Sequence, residues 1–144
     1  MAEGPLHRAL VQALTDHLRS EFTNECVILS DCKDRLVAGL PPQLGEVRPD
    51  FYSREYGSAH VVIGEAKIER DLDNTHTEKQ VRSYLEHLAE QDSGELVLAV
   101  PLLAAGTAHR VCRSVRKELG LEHIPFRVTG WLVGQHSVCE TWHG

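Results

Sequence analysis

Val47-Arg48-Pro49-Asp50-Phe51-Tyr52-Ser53-Arg54, a turn signal at Gly57-Ser58, and then Val61-Val62-Ile63-Gly64-Glu65-Ala66-Lys67-Ile68 form the stretch that decides the fold. It reads as two strands joined by a turn. The first starts near Val47, with Pro49 close to its beginning, where a sheet tolerates a residue that has no amide donor. The second runs over residues 59–68. Alternation puts Val61, Ile63, Glu65 and Lys67 on one of its faces and Val62, Gly64, Ala66 and Ile68 on the other. A face that begins apolar therefore ends in a carboxylate and an amine.

Toward the N-terminus, Pro5 opens a segment in which Leu6, Leu10, Leu14 and Leu18 recur at helical spacing, with proline in a first-turn position where its missing N–H costs nothing. Residues 26–29 are a short apolar run and read as a buried strand, while Gly39, Pro41, Pro42 and Gly45 mark residues 38–46 as a loop. Toward the C-terminus, residues 71–75 are a polar connection. Residues 77–90 carry Val81, Leu85 and Leu88 on one helical stripe. A buried strand follows at 96–100, then a helix over 108–119 closed by Gly120, and a last strand at 126–133. The order α-β-β-β-α-β-α-β is a mixed α/β plan in a single domain spanning residues 1–144. The helix between the third and fourth strands is long enough for a right-handed crossover, which makes those strands parallel neighbours in a sheet covered on both faces.

Composition sets the bounds. With 42% apolar and 25% charged residues in 144, the chain has the balance of a folded domain. No run approaches the roughly 18 apolar residues of a membrane span, and Glu3 and His7 stand where a signal peptide needs a cationic start, so the reading is cytoplasmic with no membrane partner. The four cysteines, Cys26, Cys32, Cys112 and Cys139, show no zinc or iron–sulfur spacing and read as reduced thiols. The nine histidines form no H-E-x-x-H. A net charge of −6 is awkward for a protein that binds nucleic acid, although a local positive strip suffices and a metal ion adds its own charge.

Taken alone, Glu65 and Lys67 read equally well as an ion pair at a strand end. Asp50 changes that balance. Pro49-Asp50 at the start of one strand and Glu65-Ala66-Lys67 on the next resemble the PD-(D/E)XK nuclease superfamily, whose motif is Pro-Asp, a hairpin, then Glu-x-Lys. In element order the resemblance covers residues 5–100, while the matched residues themselves are few. It implies a restriction-endonuclease-like core and metal-dependent hydrolysis of phosphodiester bonds. Asp50 and Glu65 then supply hard oxygen ligands to Mg²⁺, with Mn²⁺ as a substitute. The backbone carbonyl of Ala66 is a further ligand by the same analogy, and Lys67 orients or deprotonates the attacking water.

Gln80 and Tyr84, four apart on the second helix, are similar to the Gln-x-x-x-Tyr element of the branch that contains recombination helicase-nucleases and CRISPR adaptation nucleases. The cysteines do not reproduce the iron–sulfur spacing of the adaptation enzymes. In parts of the superfamily a Glu on the first helix completes the metal site, and in the exonuclease branch a His does. Glu21 is the preferred candidate here and His17 the second. Arg110, Arg113 and Lys117, at i, i+3 and i+7, form a basic stripe for nucleic acid, although ordinary solvated helix faces look the same. Arg48, Arg54 and Arg70 lie nearer the motif in sequence.

The expectation is a DNA endonuclease or exonuclease of repair, recombination, restriction or mobile-element biology, acting as a homodimer or beside a partner protein because so small a domain has little surface for reading sequence. The alternative is a noncatalytic nucleic-acid-binding or protein-interaction subunit of the same fold, against which the intact Asp50, Glu65 and Lys67 argue. A third reading, an accidental motif in a structural domain, predicts no metal binding near Asp50.

Overall fold

A computed structural model describes residues 4–32, 37–132, 138 and 140–144. The chain runs α1 (Pro5–Glu21), β1 (Cys26–Ser30), β2 (Phe51–Glu55), β3 (Val61–Ala66), α2 (Thr75–Ala89), β4 (Gly94–Pro101), α3 (Ala105–Leu119), β5 (Phe126–Trp131) and β6 (Glu140–His143), with single 3₁₀ turns at Glu69–Asp71 and Leu102–Ala104. The six strands form one open mixed sheet in chain order. β1 to β3 are antiparallel neighbours, β3, β4 and β5 are parallel, and β6 returns antiparallel. No helix among the described residues is long and apolar enough to cross a membrane.

The central strands explain this arrangement. Every residue of β3 is buried, as are Leu96 to Val100 of β4, which is what a parallel strand covered on both faces requires. Val61 and Ile63 face the core formed with Val81, Leu85 and Leu88 of α2 and Ala108, Cys112 and Val115 of α3. Val62 and Ala66 face the opposite core, formed with Leu10, Leu14 and Leu18 of α1. The α1 stripe includes Thr15, whose hydroxyl bonds the Val11 carbonyl and the Ser30 hydroxyl, so no buried polar group there is wasted. α3 ends at Gly120 with φ 68°, the Leu121 and Gly120 amides donating to the Arg116 and Lys117 carbonyls as in a Schellman motif.

Three expectations change. β1 lies at the sheet edge and is mostly half-buried rather than buried, because an apolar run does not specify its place in the strand order. β2 begins at Phe51 and not near Val47: Gly45, with φ 68°, lets the chain turn so that Val47 pairs with Leu44. β6 is an additional strand, and it is exposed throughout. Val133 and Cys139 lie outside the described residues. Cys26, Cys32 and Cys112 are free thiols, and burial pushes the Cys112 thiol up to about 12, making it inert.

Candidate metal centre

The site forms where β2 begins and β3 ends. Because the strands pair with Phe51 opposite Gly64, the residue before one and the residue after the other are brought together. Asp50 is therefore beside Glu65. Its Oδ2 accepts the Ala66 amide at 2.9 Å, which fixes the side chain. Asp50, Glu65 and Lys67 are all buried, an arrangement that costs free energy unless the charges are compensated.

α1 contributes the third member of the cluster. Its backbone approaches β3 closely because residue 64 has no side chain: a Cβ there would stand 3.0 Å from Leu14 Cδ2 and 3.0 Å from Phe51 Cβ. Two turns before Leu14, His7 Nε2 lies 3.1 Å from the Ala66 carbonyl oxygen and 3.4 Å from Asp50 Oδ2. One donor atom each from His7, Asp50 and Glu65 falls within 4.8 Å of the others. In the tautomer carrying its proton on Nδ1, His7 offers Nε2 as a lone-pair donor. Two carboxylates, one imidazole nitrogen and an adjacent carbonyl are a donor set that fits a divalent cation.

α2 supplies the opposite wall. Tyr84 OH donates to Glu65 Oε1 at 2.7 Å, and burial followed by the neighbouring Glu65 carboxylate pushes the phenol up, so it stays a donor. Gln80 lies one turn earlier and is also buried, with its Oε1 lacking a hydrogen-bond partner. Lys67 Nζ is 3.6 Å from Glu65 Oε2. Burial, and then the charge of Asp50, raise Glu65 well above the usual carboxylate range, with Lys67 and the Tyr84 hydroxyl pulling the other way. A cation among these groups removes the main obstacle to ionising both acids.

A cavity of about 280 Å³ opens over the cluster. Arg48, Arg70, Asn74 and His76 line it together with His7, Asp50, Glu65, Lys67 and Gln80. Asp71 also lines it, 3.7 Å from the Arg70 Nε, so its outer wall carries both signs of charge.

The remaining candidates lie elsewhere. Glu21 is at the other end of the sheet, hydrogen-bonded twice to Arg127, once at 2.8 Å, and the guanidinium holds its carboxyl below the usual range. His17 stands edge-on to Trp131, 5.8 Å between ring centroids, and burial lowers its imidazole. The reason is topological. β1 and β3 are parallel, because both are antiparallel to β2, and the short connection of residues 22–25 leaves the C-terminus of α1 where β3 starts. The N-terminal turn of α1 therefore reaches the end of β3, and His7 takes the place assigned to Glu21. Its signal was present: His7 precedes Leu10, Val11 and Leu14 at i+3, i+4 and i+7.

Arg54 is opposite Val61, at the turn end of the hairpin, and donates to Gln91. It is not part of the cavity. Arg110, Arg113 and Lys117 line a separate groove on α3, where Arg110 also pairs with Asp73 at 3.1 Å. No protein-family model, curated protein sequence or solved structure matches the chain.

Proposed function

We propose that this protein is a metal-dependent nuclease of the PD-(D/E)XK kind that hydrolyses phosphodiester bonds of DNA, with a restriction-endonuclease-like core. The observation that carries the reading is the convergence of His7, Asp50 and Glu65 within 4.8 Å, with the Lys67 amine 3.6 Å from one of the acids. Mg²⁺ or Mn²⁺ held there supplies charge neutralisation at the phosphate and a more acidic water.

The chain's own groups do the rest. Lys67 holds the attacking water and offsets charge that develops on the phosphate. Tyr84 fixes the orientation of Glu65 through its hydroxyl, and the buried, unpartnered Oε1 of Gln80 is left to accept a hydrogen bond from a group that enters the site. Arg48 and Arg70 at the rim receive the phosphates on either side of the scissile bond. A histidine at the α1 position, together with Gln80 and Tyr84, favours the exonuclease branch over its relatives. So small a domain fits a homodimer or a partner protein as the source of specificity.

The test offers linear, circular, branched and single-stranded DNA with Mg²⁺, Mn²⁺ or EDTA. Cleavage that persists undiminished in EDTA excludes the mechanism. Two substitutions separate the roles. Glu65→Gln keeps the shape but removes a ligand charge, so metal affinity and cleavage both fall, and added metal restores part of the activity. Lys67→Ala keeps or raises metal affinity while cleavage falls about a hundredfold or more, the usual cost of losing a positioned acid–base or electrostatic group. Cleavage by Lys67→Ala at the parent rate reduces the lysine to a structural counter-ion.

A further inference from the structure

The groove on the outer side of α3 has a basic and aromatic lining. Arg110, Arg113 and Lys117 line it with His109, Ser114, Gly106 and Trp142, and no carboxylate is among them, although the whole chain carries −6. Among the described residues, no acid pairs with Arg113 or Lys117. Along a helix rising about 1.5 Å per residue, Arg110 and Lys117 stand roughly 10 Å apart, a spacing that admits more than one phosphate of an extended strand.

Trp142 gives the groove its second property. It sits on β6 opposite Val128, on the sheet face that α3 covers. The indole reaches the first turn of α3, where its Cη2 is 3.5 Å from the position a Cβ on Gly106 would take. Its ring lies 5.7 Å from that of His109, whose Nε2 is 2.9 Å from the His143 carbonyl oxygen. The strand and helix are therefore held together, yet Trp142 remains 37% exposed. A large aromatic side chain left open beside three cationic side chains matches a polyanion with flat apolar faces. The groove also approaches the metal centre: Arg110 pairs with Asp73, the neighbour of Asn74 in the cavity wall.

We propose that this groove binds single-stranded nucleic acid, with one base stacked on Trp142 and the flanking phosphates on Arg113 and Lys117. The substrate class rests on the nuclease reading, which the proposal sharpens from nucleic acid in general to an unpaired strand. Stacking on an open aromatic requires an unpaired base, whereas the phosphates alone would accept a duplex equally.

The test measures binding in EDTA, where cleavage is not asked of the protein, using a fluorescent twelve-nucleotide oligo-dT and a DNA hairpin of equal length. The parent should bind oligo-dT at least tenfold more tightly than the hairpin and lose Trp142 emission on doing so, since Trp131, the other tryptophan, is 3% exposed. Trp142→Ala should lose about tenfold in oligo-dT affinity and the preference with it, while Trp142→Phe keeps most of both. The double variant Arg113→Glu, Lys117→Glu should bind at least a hundredfold more weakly, with a shallower dependence on salt. Unfolding curves matching the parent show that these surface variants are folded. Equal binding of strand and hairpin, or a Trp142→Ala protein that binds oligo-dT like the parent, overturns the proposal. A parent protein that binds oligo-dT in this way but never cleaves it with Mg²⁺ or Mn²⁺ refutes the nuclease reading and leaves the groove standing.

Discussion

Glu65 is the residue on which the site's energetics turn, because its carboxyl is buried beside a second acid. Burial, then Asp50, raise its proton affinity in the folded chain above the ordinary carboxylate value that describes the unfolded one. Below that value both states hold the proton and the folded form keeps its full stability. As pH rises, the unfolded chain releases the proton first, so stability is lost progressively up to the folded-state value, at about 1.4 kcal/mol per pH unit for one whole proton. Glu65→Gln cannot titrate, yet its amide oxygen still accepts the Tyr84 hydroxyl. Urea unfolding in EDTA between pH 5 and 8 should therefore show Glu65→Gln gaining on the parent as pH increases. Parallel curves for the two proteins contradict a raised Glu65.

At the scale of elements, α1 and the hairpin are joined through one missing side chain. Gly64→Ala places a methyl 3.0 Å from both Leu14 Cδ2 and Phe51 Cβ, and overpacking of this kind costs about 1–3 kcal/mol. It should also displace the helix that carries His7, so Gly64→Ala should lose stability and Mn²⁺ affinity together, whereas His7→Ala should lose mainly affinity. Unfolding curves and Mn²⁺ titrations that leave Gly64→Ala like the parent show that α1 does not depend on that approach. The same junction marks what the sequence could express. Alternation along residues 61–67 and the pairing with Pro49-Asp50 are local patterns, and they carry Asp50, Glu65 and Lys67 to one place. Gln80 and Tyr84 follow from a single helical turn. The direction of α1 is not local, since it depends on β1 and β3 being parallel and on the short connector at residues 22–25. A stripe of leucines looks the same read from either end, which is why Glu21 and not His7 was expected at the acids. β6 was illegible for another reason: Glu-Thr-Trp-His is short and wholly exposed, and its only instruction to form a strand is the edge of β5.

For the molecule as a whole, a cation bound at the proposed site would act as a clasp on three separate parts of the chain. His7 belongs to α1, Asp50 precedes β2, and Glu65 lies in β3 and is held by Tyr84 of α2. No such cluster survives unfolding, so metal affinity becomes folding free energy, about 2.7 kcal/mol at a hundredfold excess over Kd. A chain of 144 residues gains roughly 3 °C in Tm for each kcal/mol, which amounts to a rise of about 8 °C. Thermal unfolding with and without Mn²⁺ near pH 7.5 should show this rise in the parent. Asp50→Asn and Glu65→Gln should lose most of it. Lys67→Ala should keep it or exceed it, because the variant lacks a positive charge 3.6 Å from Glu65. The far end of the sheet is the control: Glu21→Gln weakens the tie to Arg127 and should lower Tm through it, but should leave the Mn²⁺ increment unchanged. An increment that survives in Glu65→Gln and disappears in Glu21→Gln places the cation at the wrong end of α1 and removes the basis for the nuclease reading.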